Sequence, residues 1–176
     1  MVQQVTSART GAHAALVAGL VLAGMSCVNP FAPRLNTNLQ AELCSDLTKI
    51  DNVLCIFQNA YSFRDTTLYG SLLAPNFIFI YRDYDRGVDV SWARDTEMRT
   101  TYGLFQNVES LMLVWNNEIS ISESDTLTKI QRAFNLTVTF NPSDVSRVDG
   151  NAILTFARAS VADQWKIVNW RDESNY

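Results

Sequence analysis

The sequence predicts an α+β domain, and three observations carry that prediction. Apolar residues recur at helical spacing early in the chain, period-two alternation marks its second half, and helical patterns precede most of the strands instead of alternating with them. Asp51 opens the first helix as its N-cap, and Val53, Leu54, Phe57, Ala60 and Tyr61 form an apolar stripe that runs as far as Arg64. Thr66 and Thr67 start a second, short helix, TTLYGSLL, which Ala74-Pro75-Asn76 closes. Phe77-Ile78-Phe79-Ile80-Tyr81 is a strand apolar on both faces, expected to be covered on both sides. Arg82 to Asp89 is mostly polar and reads as a loop. Ser91 then caps a third helix carrying Trp92, Glu97, Met98, Thr101, Tyr102, Leu104 and Phe105.

The remainder reads as β. Leu111–Trp115 is one strand. In Ile130–Phe140, the residues Ile130, Phe134, Leu136, Val138 and Phe140 alternate with Gln131, Ala133, Asn135, Thr137 and Thr139, the pattern of a long half-buried antiparallel strand. Asn141-Pro142-Ser143-Asp144 ends it, and Asp149-Gly150 is a turn signal before a strand at Ala152–Arg158. Gln164–Arg171, with Trp165, Ile167, Val168 and Trp170, closes the fold.

The N-terminal stretch has a different character. Residues 1–26 contain no Asp or Glu, and Ala14–Met25 runs for twelve residues without a charge. A helix of that length rises about 18 Å, short of the roughly 30 Å hydrocarbon core of a bilayer. It suits the apolar centre of a signal peptide better than a membrane span or a core helix, which would carry a polar face. Leu22-Ala23-Gly24-Met25-Ser26-Cys27 resembles a bacterial lipobox: Ser26 is the small residue before the cysteine, and Gly24 stands where an aliphatic residue is usual. The resemblance implies cleavage before Cys27, lipid on its sulfur, and anchorage to a bacterial membrane on the periplasmic or outer-surface side. Val28-Asn29-Pro30-Phe31-Ala32-Pro33 cannot continue a helix and suits an extended tether. The expected organisation is a signal peptide over 1–26, lipidated cysteine and linker over 27–45, and one domain over 46–176.

Beyond residue 26, 13 Lys and Arg face 18 Asp and Glu, an acidic balance without a basic run. That argues against nucleic-acid binding and against electrostatic adhesion to anionic lipid. The sole histidine, His13, lies in the leader, so the rest of the chain lacks the imidazole that Ser-His-Asp triads, Cys-His dyads and catalytic zinc sites need. No metal or other cofactor is expected. Cys44 and Cys55 either pair in an oxidising compartment or stay free. On one continuous helix their Cα atoms would be about 16 Å apart, beyond the roughly 7 Å a bridge allows, so pairing requires a break near Lys49–Asn52.

Three segments together resemble the nuclear-transport-factor-2-like, or cystatin-like, superfamily. They are Asn59-Ala60-Tyr61-Ser62-Phe63-Arg64-Asp65 with Tyr69, Leu72-Leu73 and Pro75-Asn76-Phe77; Trp92-Ala93-Arg94-Asp95-Thr96-Glu97 with Leu104-Phe105; and Trp165-Lys166-Ile167-Val168-Asn169-Trp170-Arg171-Asp172. The resemblance spans about residues 51–172. It implies a strongly curved antiparallel sheet wrapped around a long N-terminal helix, a cone-shaped α+β barrel with a hollow mouth. Ketosteroid isomerases and small dehydratases of that superfamily use a pocket carboxylate as base with a Tyr or a protonated Asp on the developing oxyanion. The nearest groups here are Tyr61, Tyr81, Asp83 and Asp85, and the dehydratase His-Asp pair has no counterpart.

Each candidate has a plainer reading beside it. Tyr61 also serves as a core tyrosine, and Asp83 and Asp85 as solvated loop residues beside Arg82 and Arg86. Trp92, Trp115, Phe134, Phe140, Phe156 and Trp165 either line a ligand cavity or fill the cone as ordinary core, and filling is favoured. Arg132 and Arg158 sit on otherwise apolar strand faces and require an anionic partner, either Glu97 or Asp95 or the carboxylate of a ligand. Asn135-Leu136-Thr137 matches the glycosylation triplet by chance. The expectation is a membrane-anchored, non-enzymatic binding or interaction module, partnered through its open sheet face by a second copy or an envelope protein. A small-molecule cup and an isomerase-like enzyme are the alternatives.

Overall fold

In a computed structural model that describes residues 44–175, the early apolar stripe forms helix α1 (Ile50–Phe63). The leader, Cys27 and the tether lie outside the described residues. Lys49 occupies the N-cap position and makes no side-chain cap bond, whereas Asp51, expected there, sits in the first turn. A carboxylate so placed still meets the positive end of the helix dipole. At the other end Arg64 turns into the left-handed region (φ 54°), and the N–H groups of Arg64 and Asp65 donate back to Tyr61 and Ala60 at 3.0 and 2.8 Å. Asp65 then caps α2 (Thr66–Leu72), accepting from the Leu68 N–H at 2.8 Å.

Strand β1 (Leu73–Asp83) follows without a loop. Ala74-Pro75-Asn76 is therefore not a terminating turn. It lies where the register against the last strand shifts between Leu73 and Ile78, a place where a residue lacking an N–H is tolerated. A turn at Tyr84–Gly87 leads into β2 (Val88–Ala93), which the sequence reading assigned to a loop and a helix cap. Ser91 sits in that strand, and α3 (Arg94–Asn107) begins after Ala93. The remaining strands are β3 (Ser110–Glu123), β4 (Leu127–Asn141), β5 (Asp144–Ala157) and β6 (Lys166–Asn175). Asp149-Gly150 lies inside β5 and not in a turn. A Cβ on Gly150 would sit 2.5 Å from Ser174 Cα, so the glycine serves the close approach of β5 to β6.

The sheet order is β2-β1-β6-β5-β4-β3. Only the β1–β6 pairing is parallel. In a flat sheet β6 and β3 would stand about 14 Å apart. Yet the Phe57 ring of α1 meets both Trp170 of β6 and Trp115 of β3, at 5.4 and 5.5 Å between centroids. The sheet must therefore curl around α1, and the indole N–H of Trp115 fixes that packing by donating to Leu54 O at 3.1 Å. The outer side stays open: Ile78 is 38% exposed, so β1 is not covered on both faces, and Phe140 is 42% exposed beside a register shift at the end of β4.

Cys44 and Cys55 form a disulfide across 6.1 Å between Cα atoms, which a helix beginning only at Ile50 permits. Closing so short a loop stabilises by about 3 kcal/mol if the effect is on the unfolded chain. The loop it encloses is pinned to the entry of β6, because the Trp165 N–H donates to Leu47 O at 2.9 Å.

Candidate functional site

Inward-facing rings of the cone surround a cavity of about 300 Å³. Phe57 and Tyr61 of α1 form its base, their rings stacked 5.0 Å apart. On the β2–β1–β6 side Phe79 pairs in register with Trp92 and with Trp170. Its ring stacks on Trp92 at 4.5 Å and meets Trp170 edge-on at 5.1 Å. Trp115 and Phe134, paired across β3 and β4, form the opposite wall. The favoured expectation of a filled cone is thus corrected. The edge-to-face rings leave open space between the walls, while Phe156 and Trp165 are buried elsewhere and Phe140 points out.

Two carboxylates face this apolar space. Glu97 of α3 is only 4% exposed and accepts three neutral hydrogen bonds. Tyr69 Oη (2.7 Å) and Thr101 Oγ1 (3.0 Å) donate to its Oε1, and Trp92 Nε1 (2.7 Å) donates to its Oε2. Burial above all, with Tyr61 and Glu97 adding to it, holds the Tyr69 phenol well above its ordinary pKa of 10.0, so it remains a donor. Asp172, 6% exposed, is the register neighbour of Tyr81 and accepts from Ser174 Oγ. The indole Nε1 of Trp170 is buried with no hydrogen-bond partner among the described residues.

Of the sequence candidates, Tyr61, Tyr81, Trp92, Trp115 and Phe134 come together around the cavity, and Asp83, Arg132 and Arg158 do not line it. Asp83 instead holds the β1–β2 turn, accepting from the Arg86 N–H at 3.0 Å, and Asp85 is exposed on that turn. Neither arginine takes Glu97 or Asp95. Arg132 donates to Asn116 O at 3.0 Å and reaches the exposed Asp51 at 3.5 Å. Arg158 donates to Asp125 O at 2.7 Å and Val161 O at 2.9 Å and lies 4.1 Å over the Trp165 ring. Both side chains act near the N-terminal end of α1, where carbonyls and a π-face satisfy them.

Glu97 and Asp172 are the site residues that sequence reasoning missed as cavity groups. The alternation of Trp170, Asp172 and Ser174 carried one signal, since β6 has a register shift before it and these three then share the inner face. The helical spacing of Glu97 and Thr101 carried the other. Among the described residues no cluster of His, Cys, Asp and Glu is arranged to hold a metal ion.

No family model and no curated protein sequence matches the chain. Solved structures do. A conserved protein from Planctomyces limnophilus superposes with a TM-score of 0.63 at 16% identity, over 74% of this chain and 97% of its own. A proposed scytalone dehydratase from Novosphingobium aromaticivorans gives 0.61 at 12%, over 79% and 87%. A proposed dehydratase of the NTF2-like family from Streptomyces avermitilis gives 0.60 at 15%, over 75% and 97%. With a curved sheet wrapped around α1 and these matches along nearly the whole folded part, the domain has the nuclear-transport-factor-2-like fold.

Proposed function

We propose that this domain is a small-molecule-binding cup, tethered to a bacterial membrane through lipid on Cys27. The observation that carries the binding half is the aromatic-walled cavity of about 300 Å³. It lies at the small end of the range for ligand pockets, about 300–1,000 Å³, and an apolar cavity of about 150 Å³ already holds benzene. A body of one or two rings fits. Binding is favoured over acid–base chemistry because Glu97 is already committed to three donors and no histidine follows Cys27.

Three of the four tryptophans line the cavity, so intrinsic fluorescence reports occupancy directly. Titration with indole, naphthalene and 2-naphthol is expected to give a saturable change for at least one probe. Leu113→Trp, which puts an indole into the cavity from β3, should weaken that binding by about tenfold or more, the scale of one lost ring contact. Far-UV circular dichroism would confirm that the variant is folded. No saturable change with any probe would overturn the cup.

The membrane half is supported by the uncharged run at Ala14–Met25 ending on Ser26-Cys27, and by the Cys44–Cys55 disulfide, a bond suited to an oxidising compartment. Cells of a bacterium expressing the full chain and fed labelled palmitate should label the wild type and not Cys27→Ser. An unlabelled wild type would rule the anchor out.

A further inference from the structure

Buried polar groups are almost always paired, and a tryptophan N–H inside a core usually finds an acceptor. Three indoles line the cavity. Trp115 Nε1 donates to Leu54 O at 3.1 Å, and Trp92 Nε1 donates to Glu97 Oε2 at 2.7 Å. Trp170 departs from that pattern. It is 9% exposed and lines the same cavity, yet its Nε1 has no acceptor among the described residues.

The surroundings explain why the fold supplies none. Trp170 stands in β6 with Phe79 of β1 and Leu154 of β5 in register on either side. Its ring meets Phe79 and Phe57 edge to face, at 5.1 and 5.4 Å between centroids. None of these three side chains has a lone pair to offer, and a π-face is a second-order substitute for one. Asp172, two residues on along the same face, accepts from Ser174 Oγ instead. Beside the ring lies the cavity of about 300 Å³, so a molecule held there touches Trp170.

The chemical class follows from the donor. An ammonium has no lone pair with which to accept it. A carboxylate would accept it, but no Lys or Arg is among the described residues lining the cavity, so its charge would be buried without a counter-charge. A carbonyl oxygen is neutral, and its two lone pairs accept over a broad range of directions, which suits a donor fixed in a packed wall. We propose that Trp170 Nε1 is a ligand-binding donor, and that the cup selects a neutral one- or two-ring aromatic compound carrying a carbonyl group. This inference rests on the binding-cup reading. A hydrocarbon of the same shape enters the cup and leaves the donor unpaired.

The test uses the full-length protein in detergent and two probes of nearly one shape, 1-tetralone and its hydrocarbon counterpart tetralin, with affinities read by calorimetry. Trp170→Phe keeps an aromatic ring in the wall and removes the N–H. It is expected to weaken 1-tetralone by about tenfold or more and tetralin by less than about threefold, the difference being the hydrogen bond. In the proton–nitrogen spectrum of the wild type, one indole N–H signal should move downfield with 1-tetralone and stay in place with tetralin. Trp170→Phe should lack that signal, and the wild-type spectrum decides alone should the variant fail to fold. Equal weakening of the two probes, or no indole signal moving downfield with 1-tetralone, would overturn the pairing and leave the cup intact where tetralin binds. Failure of both probes overturns the pairing where indole or a naphthalene still binds, and overturns the cup with it where none does.

Discussion

Phe57→Ala is expected to lower the free energy of unfolding by about 3–5 kcal/mol, the cost of truncating a buried phenylalanine whose site cannot collapse. Phe57 is 1% exposed. Its ring touches four others: Tyr61, Tyr69, Trp115 and Trp170, at 5.0, 5.3, 5.5 and 5.4 Å. Each such pair contributes about 0.5–1.5 kcal/mol beyond buried area. The space it vacates would open directly into the existing cavity, because Phe57 forms part of its base, so neighbouring side chains have no packed wall to relax against. Phe57→Leu retains most of the volume and should cost about half as much. Urea unfolding followed by circular dichroism measures both. A Phe57→Ala protein within about 1 kcal/mol of wild type, with an unchanged denaturant slope, would mean that α1 does not hold the two sides of the sheet together.

The same residue shows what the sequence made legible. Phe57 belongs to a stripe at helical spacing that can bury only one face, so α1 and its orientation follow from periodicity alone. Phe77, Phe79 and Tyr81 are legible for the corresponding reason in a strand. Strand β2 was hidden because it is an edge strand, exposed along most of its length; its Asp89 and Ser91 are polar where a central strand would be apolar. That is also why Ser91 resembled a helix cap. Arg132 and Arg158 were expected on apolar strand faces; Arg132 lies in β4 between the buried Ile130 and Phe134, whereas Arg158 comes just after the end of β5. The error concerned their reach: long guanidinium stems at that end of the sheet find carbonyls, an exposed Asp51 and the Trp165 ring instead of a buried acid. The pairing of Cys44 with Cys55 turned on where α1 begins, a boundary with no strong capping residue to mark it. Glu97 and Asp172 stand 75 positions apart and meet one cavity only after the sheet has curled, which no local pattern encodes.

Glu97→Leu is expected to be about as damaging as the loss of Phe57, for an opposite reason. Leucine fits an apolar cavity wall, so transfer of the side chain itself is favourable. The loss comes from the donors left behind: Tyr69 Oη, Thr101 Oγ1 and Trp92 Nε1 all lose their acceptor. Tyr69 is fully buried and Thr101 nearly so. A buried donor left unpaired costs about 1–3 kcal/mol, and three that share one acceptor should cost about 3–5 kcal/mol together, less than a simple sum because they respond as a unit. Glu97→Gln keeps one carbonyl oxygen for Tyr69 and Thr101 and turns an amide N–H₂ toward the Trp92 N–H, so about 1–2 kcal/mol is expected. Tyr69→Phe in the Glu97→Leu background should recover part of the loss, since it removes one stranded hydroxyl; the double-mutant cycle read by urea unfolding isolates that coupling. The pH dependence gives a separate reading of the same contact. The Tyr69 phenol is held protonated above its ordinary value of 10.0 in the folded protein, so the unfolded chain releases its proton first as pH rises. Its contribution to stability is complete below about pH 10 and declines above it, and Tyr69→Phe should lose stability less steeply over that range. A Glu97→Leu protein as stable as wild type, with no coupling to Tyr69, would show that Glu97 does not organise these donors and that the cavity wall is held by packing alone.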